Sequence, residues 1–209
     1  MPARTPPSRE LGAIFGDIDI YVFDQLARGR FDARRRVLDV GCGDGRNLHY
    51  LLARGYDCHG LDRDARAVAL IRARAAGLSS LDVADRFRVG EADALPWDSG
   101  GFDAVVCSAV LHFAEDQAHF GRMVTEMWRV LAPAGLLVAR LASNIGIEGA
   151  VGAEGGRCIR LPDGSDRFVV DQALLLRWTA HLGASLADPI KTTNVQGQRC
   201  MTTWCIVKS

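Results

Sequence analysis

A glycine-punctuated turn between an apolar strand and a helix sets the terms for this chain: Val37-Leu38-Asp39-Val40-Gly41-Cys42-Gly43-Asp44-Gly45-Arg46-Asn47. Three glycines at alternate positions let the backbone turn sharply and let a ligand approach it closely. The helix beyond is expected to offer free N–H groups at its start. Strand-like and helix-like segments then alternate. Arg36–Val40 reads as a strand, Asn47–Arg54 as a helix closed by Gly55, and Tyr56–Leu61 as a strand. Ala65–Ala76 reads as a helix with Val68 and Ile71 inward, stopped by Gly77. Arg86–Val89 and Phe102–Cys107 follow as strands. Phe120, Met123, Val124, Met127, Val130 and Leu131 trace one face of a long helix that Pro133 ends. Leu136–Leu141 is a fifth strand. Such alternation predicts an α/β fold, a parallel sheet covered by helices on both faces.

The two ends depart from this rhythm. Residues 1–10, rich in Pro and Arg, are expected to be a disordered tail. Residues 11–209 are then a single domain, with 11–30 as a helical lid and 142–170 as an insert. In the lid, Ile18, Tyr21, Val22 and Leu26 recur at helical spacing, with Asp17 as N-cap. In the insert, Arg157–Leu161 and Arg167–Val170 flank Pro162-Asp163-Gly164-Ser165 and are expected to pair as a hairpin. Asp171 caps a helix running to about Leu182. Ser185–Val195 and Arg199–Val207 read as an antiparallel strand pair that closes the sheet.

Composition narrows the function classes. At 209 residues, 48% hydrophobic and 24% charged, the chain suits one globular domain. Lys+Arg and Asp+Glu are both 25, so no basic surface is expected for nucleic acid. Lys191 and Lys208 are the only lysines, which leaves little scope for a Schiff base or a phosphate-loop lysine. The six cysteines form no C-x-x-C and have no histidine at zinc spacing, so no metal is expected. Free thiols and the lack of a leader-like or membrane-length apolar run suggest a cytoplasmic protein with no membrane partner.

Two ligand readings fit the glycine turn. A dinucleotide fingerprint needs a small third residue, and that position falls on Arg46. Asp39 and Asp44 would repel a pyrophosphate and suit a ligand with a cationic end. The D-x-G-x-G-x-G of Asp39, Gly41, Gly43 and Gly45 resembles the first motif of class I S-adenosylmethionine-dependent methyltransferases, and the resemblance extends over most of residues 36–141. It implies a Rossmann-like, doubly wound, seven-stranded sheet, mostly parallel with an antiparallel last strand. It also implies S-adenosylmethionine as cofactor and S-adenosylhomocysteine as product. By that resemblance Asp39 serves the cofactor's amino group, and Gly41, Cys42, Gly43, Asp44, Gly45 and Asn47 lie along it. Asp62, followed by Arg63, takes the ribose hydroxyls. Asp93 lies beside the adenine amino group, Ala92 or Ala94 lines its face, and the strand end from Ser108 to Val110 runs past the cofactor. Ala134 stands where the family usually has glycine.

The acceptor is less legible. Ser108-Ala109-Val110-Leu111 replaces the N/D-P-P-Y/F of amino-methylases, and no Pro-Cys nucleophile is present. His112, just past the fourth strand, is either a general base or a packing residue. His49 and His59 read as structural, His119 and His181 as solvent-facing or packing. Acceptor contacts are expected from the lid and the insert, which together would gate the cleft: Tyr21 and Phe23, with Phe15, in one, and Arg160, with Arg157 and Phe168, in the other. Arg46-Asn47 also resembles the tellurite-resistance and thiopurine-type methyltransferases. The expected activity is methyl transfer to a small molecule by a monomer or homodimer. A protein or RNA acceptor, or a non-catalytic cofactor-binding module, are the alternatives.

Overall fold

The computed structural model describes residues 7–78, 83 and 85–209. Two helices lead, α1 (Pro7–Phe15) and α2 (Ile20–Ala27). Then come β1 (Arg36–Val40), α3 (His49–Ala53), β2 (Asp57–Asp62), α4 (Ala65–Leu78) and β3 (Phe87–Val89). The second half holds β4 (Phe102–Ser108), α5 (Gln117–Val130), β5 (Leu131–Ser143), the short α6 (Glu148–Val151), and the hairpin β6 (Arg157–Arg160) and β7 (Asp166–Val169). It closes with α7 (Gln172–His181), β8 (Ala184–Leu186), β9 (Lys191–Val195) and β10 (Arg199–Lys208).

The main sheet runs β3-β2-β1-β4-β5-β10-β8, with β9 also on β10. Strands β1 to β5 pair in parallel, and β10 runs antiparallel to β5. This is the expected Rossmann-like, doubly wound arrangement. Because strands alternate their side chains, Leu38 and Val40 enter one core layer, with Phe120 and Met127 of α5, and Val37 enters the other, with Leu51 and Ile71. Asp39 shares Val37's face and is fully buried there. Strand order reverses between β1 and β4, and open α/β sheets bind ligands in the crevice at such a switch point.

Several expectations need correcting. The helix α1 begins at Pro7, inside the stretch read as disordered; Pro7 opens it, a position where proline's missing N–H costs nothing. Residues 1–6 lie outside the described residues. The N-cap of α2 is Asp19 rather than Asp17. Helix α4 runs through Gly77 to Leu78. The segment 185–195 splits into β8 and β9 around Asp188-Pro189. There Asp188 is pulled inward by Gln25 Nε2 (2.8 Å) and Arg30 Nη2 (3.1 Å), and Pro189 brings no N–H to a ladder. Ala134 takes the left-handed conformation itself (φ 59°), so the irregular first part of β5 forms without glycine there. No helix among the described residues is long and apolar enough to cross a membrane.

Candidate active site

The glycine turn works through the room it leaves rather than through its N–H groups. Gly41 and Cys42 donate to the Leu61 carbonyl (2.7 and 3.0 Å), Gly43 to Asp62 Oδ2 (2.9 Å), and Gly45 to the Cys42 carbonyl (2.9 Å). Helix α3 starts only at His49, so the expected row of free helix N–H groups does not form at the glycines. A Cβ on Gly41 (φ 75°) would lie 2.1 Å from Val110 Cγ2, so glycine is what lets β4's end close against the turn. Gly43 (φ 53°) faces open space.

A cleft of about 220 Å³ opens at this point. Its walls include Gly41, Asp62 and Arg63 from the first half, and Ala92, Ser108 and Val110, all expected at the site. Ala109, within the expected Ser108-to-Val110 stretch, lines it as well, while Leu61, Gly90, Glu91, Phe113, His119 and Met123 line it and were not assigned to the site from the sequence. His119 and Met123 lie four apart on one face of α5, a spacing that could have revealed them. Asp93 stands beside His119 rather than in the wall, its Oδ2 3.3 Å from Arg122 and 3.8 Å from His119. Ala94 is exposed. Asp44 points outward to Arg74 (2.9 Å), and the Cys42 thiol is buried in the core, which pushes its pKa up.

Asp39 is the electrostatic anomaly. Neither carboxylate oxygen makes a hydrogen bond of good geometry, and burial raises its pKa to about 7 against the opposing pull of Arg46 and the nearby Asn47 side chain. An unpaired carboxyl behind a glycine turn is a standing demand for positive charge.

Asp19 ties the lid to the site. Its Oδ2 accepts from Ser108 Oγ (3.1 Å) and Arg140 Nη1 (3.1 Å), with Arg46 at 3.8 Å, while its N–H donates to Asn47 Oδ1 (3.1 Å). Sequence reasoning placed Asn47 along the cofactor; here it anchors α2.

Beyond Ala109 lies a second cavity of about 290 Å³, under the β6–β7 hairpin. Ala109 lines both spaces and holds a left-handed φ of 65°, strain of the kind found at functional sites. His112 lines the second cavity; burial, then the charges of Arg167 and Arg140, lower its pKa to about 4. The imidazole is therefore neutral near pH 7 and a weak base.

The expected acceptor residues are not in either space. Tyr21 bonds Thr193 and, with Phe23, lines an outer groove beside Lys191. Arg160 is exposed and paired with Asp166 (2.8 Å). In the hairpin register Ile159 opposes Arg167, and it is Arg167 that reaches the cavity.

Fold and cleft define a class: an α/β domain with a ligand-sized cleft at the switch point of its sheet. Residues 38–139 match the methyltransferase domain family. Over 142 residues the chain is 28% identical to a trans-aconitate 2-methyltransferase of Deinococcus radiodurans, covering 68% of this chain and 46% of that one. It is 37% identical over 107 residues to a demethylmenaquinone methyltransferase of the same organism, covering 50% and 42%. The match spans less than half the length of either relative. The magnesium protoporphyrin IX methyltransferase of Synechocystis, solved with S-adenosylmethionine, superposes with a TM-score of 0.66 at 16% identity, covering 100% of this chain and 87% of that one. The chain carries a class I S-adenosylmethionine-dependent methyltransferase domain. Its residues fit that cofactor: Gly41 and Asp62 stand in the cleft wall, a Cβ on Gly43 would meet nothing within 4 Å, and the buried carboxyl of Asp39 behind the turn would be satisfied by a cationic group.

Proposed function

We propose that the chain transfers a methyl group from S-adenosylmethionine to a small-molecule acceptor by in-line displacement. The cofactor, when bound, supplies an electrophilic methyl group on a sulfonium. The protein's part is to hold both reactants in line and exclude water. Asp62 is assigned to the ribose hydroxyls, Asp39 to the ammonium, and Ser108 to Val110 to the flank of the cofactor. Asp93 is assigned to the adenine edge, where His119 and Arg122 hold it. The observation that carries the reading is the pair of spaces meeting at Ala109, one at the sheet's switch point and one lined in part by the insert. A second space of about 290 Å³ beside the cleft has room for a metabolite-sized acceptor. The lid's role is positional: α2 buries Val22 and Gln25 in the body, and Asp19 reaches from its first turn to the cleft.

Incubation of the purified protein with methyl-labelled cofactor and a fractionated metabolite extract should label a low-molecular-mass product. Label found only in protein would move the acceptor to a side chain. Asp62→Ala should weaken cofactor binding by about 1.5–3 kcal/mol, the scale for hydrogen bonds to a charged group. An unchanged dissociation constant in a folded variant would remove Asp62 from the site.

A further inference from the structure

We infer that the cavity beyond Ala109 recognises the acceptor by a carboxylate, held by Arg167 together with Arg140 and Arg199, so that the substrate is a small organic acid. The inference rests on the methyltransferase reading above. Three arginines from three different strands, β5, β7 and β10, line one space. Their charges are not balanced within the fold. Arg199 faces Asp163 at 3.7 Å, and Arg140 shares Asp19 with Arg46. Arg167 makes no ion pair among the described residues. Its Nη1 donates to the Asp166 carbonyl (2.6 Å), and its guanidinium lies 4.9 Å over the Phe113 ring.

In this cavity three guanidiniums, those of Arg140, Arg167 and Arg199, thus stand against two carboxylates, Asp19 and Asp163, and the imidazole of His112 beside them is neutral near pH 7. A half-buried positive charge with no partner is stabilised by an anion, and the planar fork of arginine matches a carboxylate with two parallel hydrogen bonds. The remaining walls decide the rest of the ligand. Ala142, Leu161, Val195 and Met201 are apolar, which suits a hydrocarbon skeleton. Asp163, also in the wall, opposes a doubly charged phosphate more strongly than a singly charged carboxylate. Phe113 sits between the two spaces, with Arg167 on its ring and its side chain in the cofactor cleft wall. An acid seated on Arg167 would therefore present its far end toward Ala109 and the cleft.

The test uses the full chain saturated with S-adenosylhomocysteine. Calorimetry is run with a panel of short aliphatic and aromatic carboxylic acids, the primary amide of each, and matching phosphate esters. At least one acid should bind with a dissociation constant under about 1 mM. Its amide should bind about tenfold more weakly or worse, the scale of a lost charge-assisted hydrogen bond. Arg167→Gln should weaken the acid by a similar factor and leave S-adenosylhomocysteine binding unchanged, while Arg167→Lys should restore part of the loss. The inference is overturned if S-adenosylhomocysteine binds but no acid binds better than its amide, if only phosphate esters bind, or if Arg167→Gln binds the acid as the parent does. Absence of S-adenosylhomocysteine binding is a different result: it removes the methyltransferase reading, and this inference with it.

Discussion

Asp39→Asn is expected to stabilise the cofactor-free protein at alkaline pH and, at the same time, to weaken S-adenosylmethionine binding about tenfold or more. Both effects come from one buried carboxyl without a hydrogen bond of good geometry, whose pKa stands at about 7 rather than the ordinary 3.8. A group whose pKa rises on folding contributes most at low pH, and that contribution is lost as pH climbs from about 4 through 7. Ionising the buried group costs at most about 4 kcal/mol at higher pH, at about 1.4 kcal/mol for each tenfold change in proton affinity. The buried amide of Asn has a desolvation cost of its own, so a net gain of about 2 kcal/mol is the reasonable expectation. For a chain of this size that raises the melting temperature by roughly 4–8 °C. Melting curves should separate at about pH 8 and converge near pH 5. On the proposed assignment, the ammonium of the cofactor would supply the charge that ionised Asp39 needs. Affinity of the parent protein should rise with pH up to about 7 and then level, and the variant should lose this dependence. Equal melting temperatures at the alkaline end, or an unaltered affinity profile, would show that Asp39 is a neutral packing residue.

Asp19→Ala carries the second large effect. One side chain caps α2 through the Tyr21 N–H (2.9 Å) and joins β4, β5 and the glycine turn through Ser108, Arg140 and Arg46. Its removal strands a partly buried guanidinium and a buried hydroxyl. Breaking such a pair costs about 3 kcal/mol or more, of which the lost cap is about 1. A fall in melting temperature of roughly 6–12 °C follows. Turnover should fall more than tenfold, because Arg140 loses the contact that positions it over the second cavity. Asp19→Asn keeps the cap and should recover about 1 kcal/mol of stability but little of the turnover. Parental stability in Asp19→Ala would mean that the lid is held by Val22 and its neighbours alone.

What could be read in advance followed from local periodicity. Strand β1 falls at the expected Arg36–Val40, Asp171 caps α7, and the hairpin forms around residues 162–165, because each pattern is settled within a few residues. Part of the cleft's lining was similarly legible, since Gly41, Asp62, Ala92, Ser108 and Val110 lie at or just past strand ends. The acceptor side was not. Whether Arg160 or Arg167 turns inward depends on hairpin register and on how the hairpin lies over β5, and neither leaves a mark in composition. Tyr21 and Phe23 sit on α2 as expected, but which face of that helix meets the cleft is decided by Asp19, a residue two positions from the cap the sequence suggested. Arg140 lies inside an apolar strand, where its pairing with Asp19 and its place in the second cavity's wall account for a charged residue.

The cofactor assignment stands or falls on calorimetry of the purified protein against S-adenosylmethionine, S-adenosylhomocysteine and a nicotinamide dinucleotide. Micromolar binding of the first two, and none of the third, is the predicted result. Micromolar binding of the dinucleotide without binding of S-adenosylmethionine would contradict it.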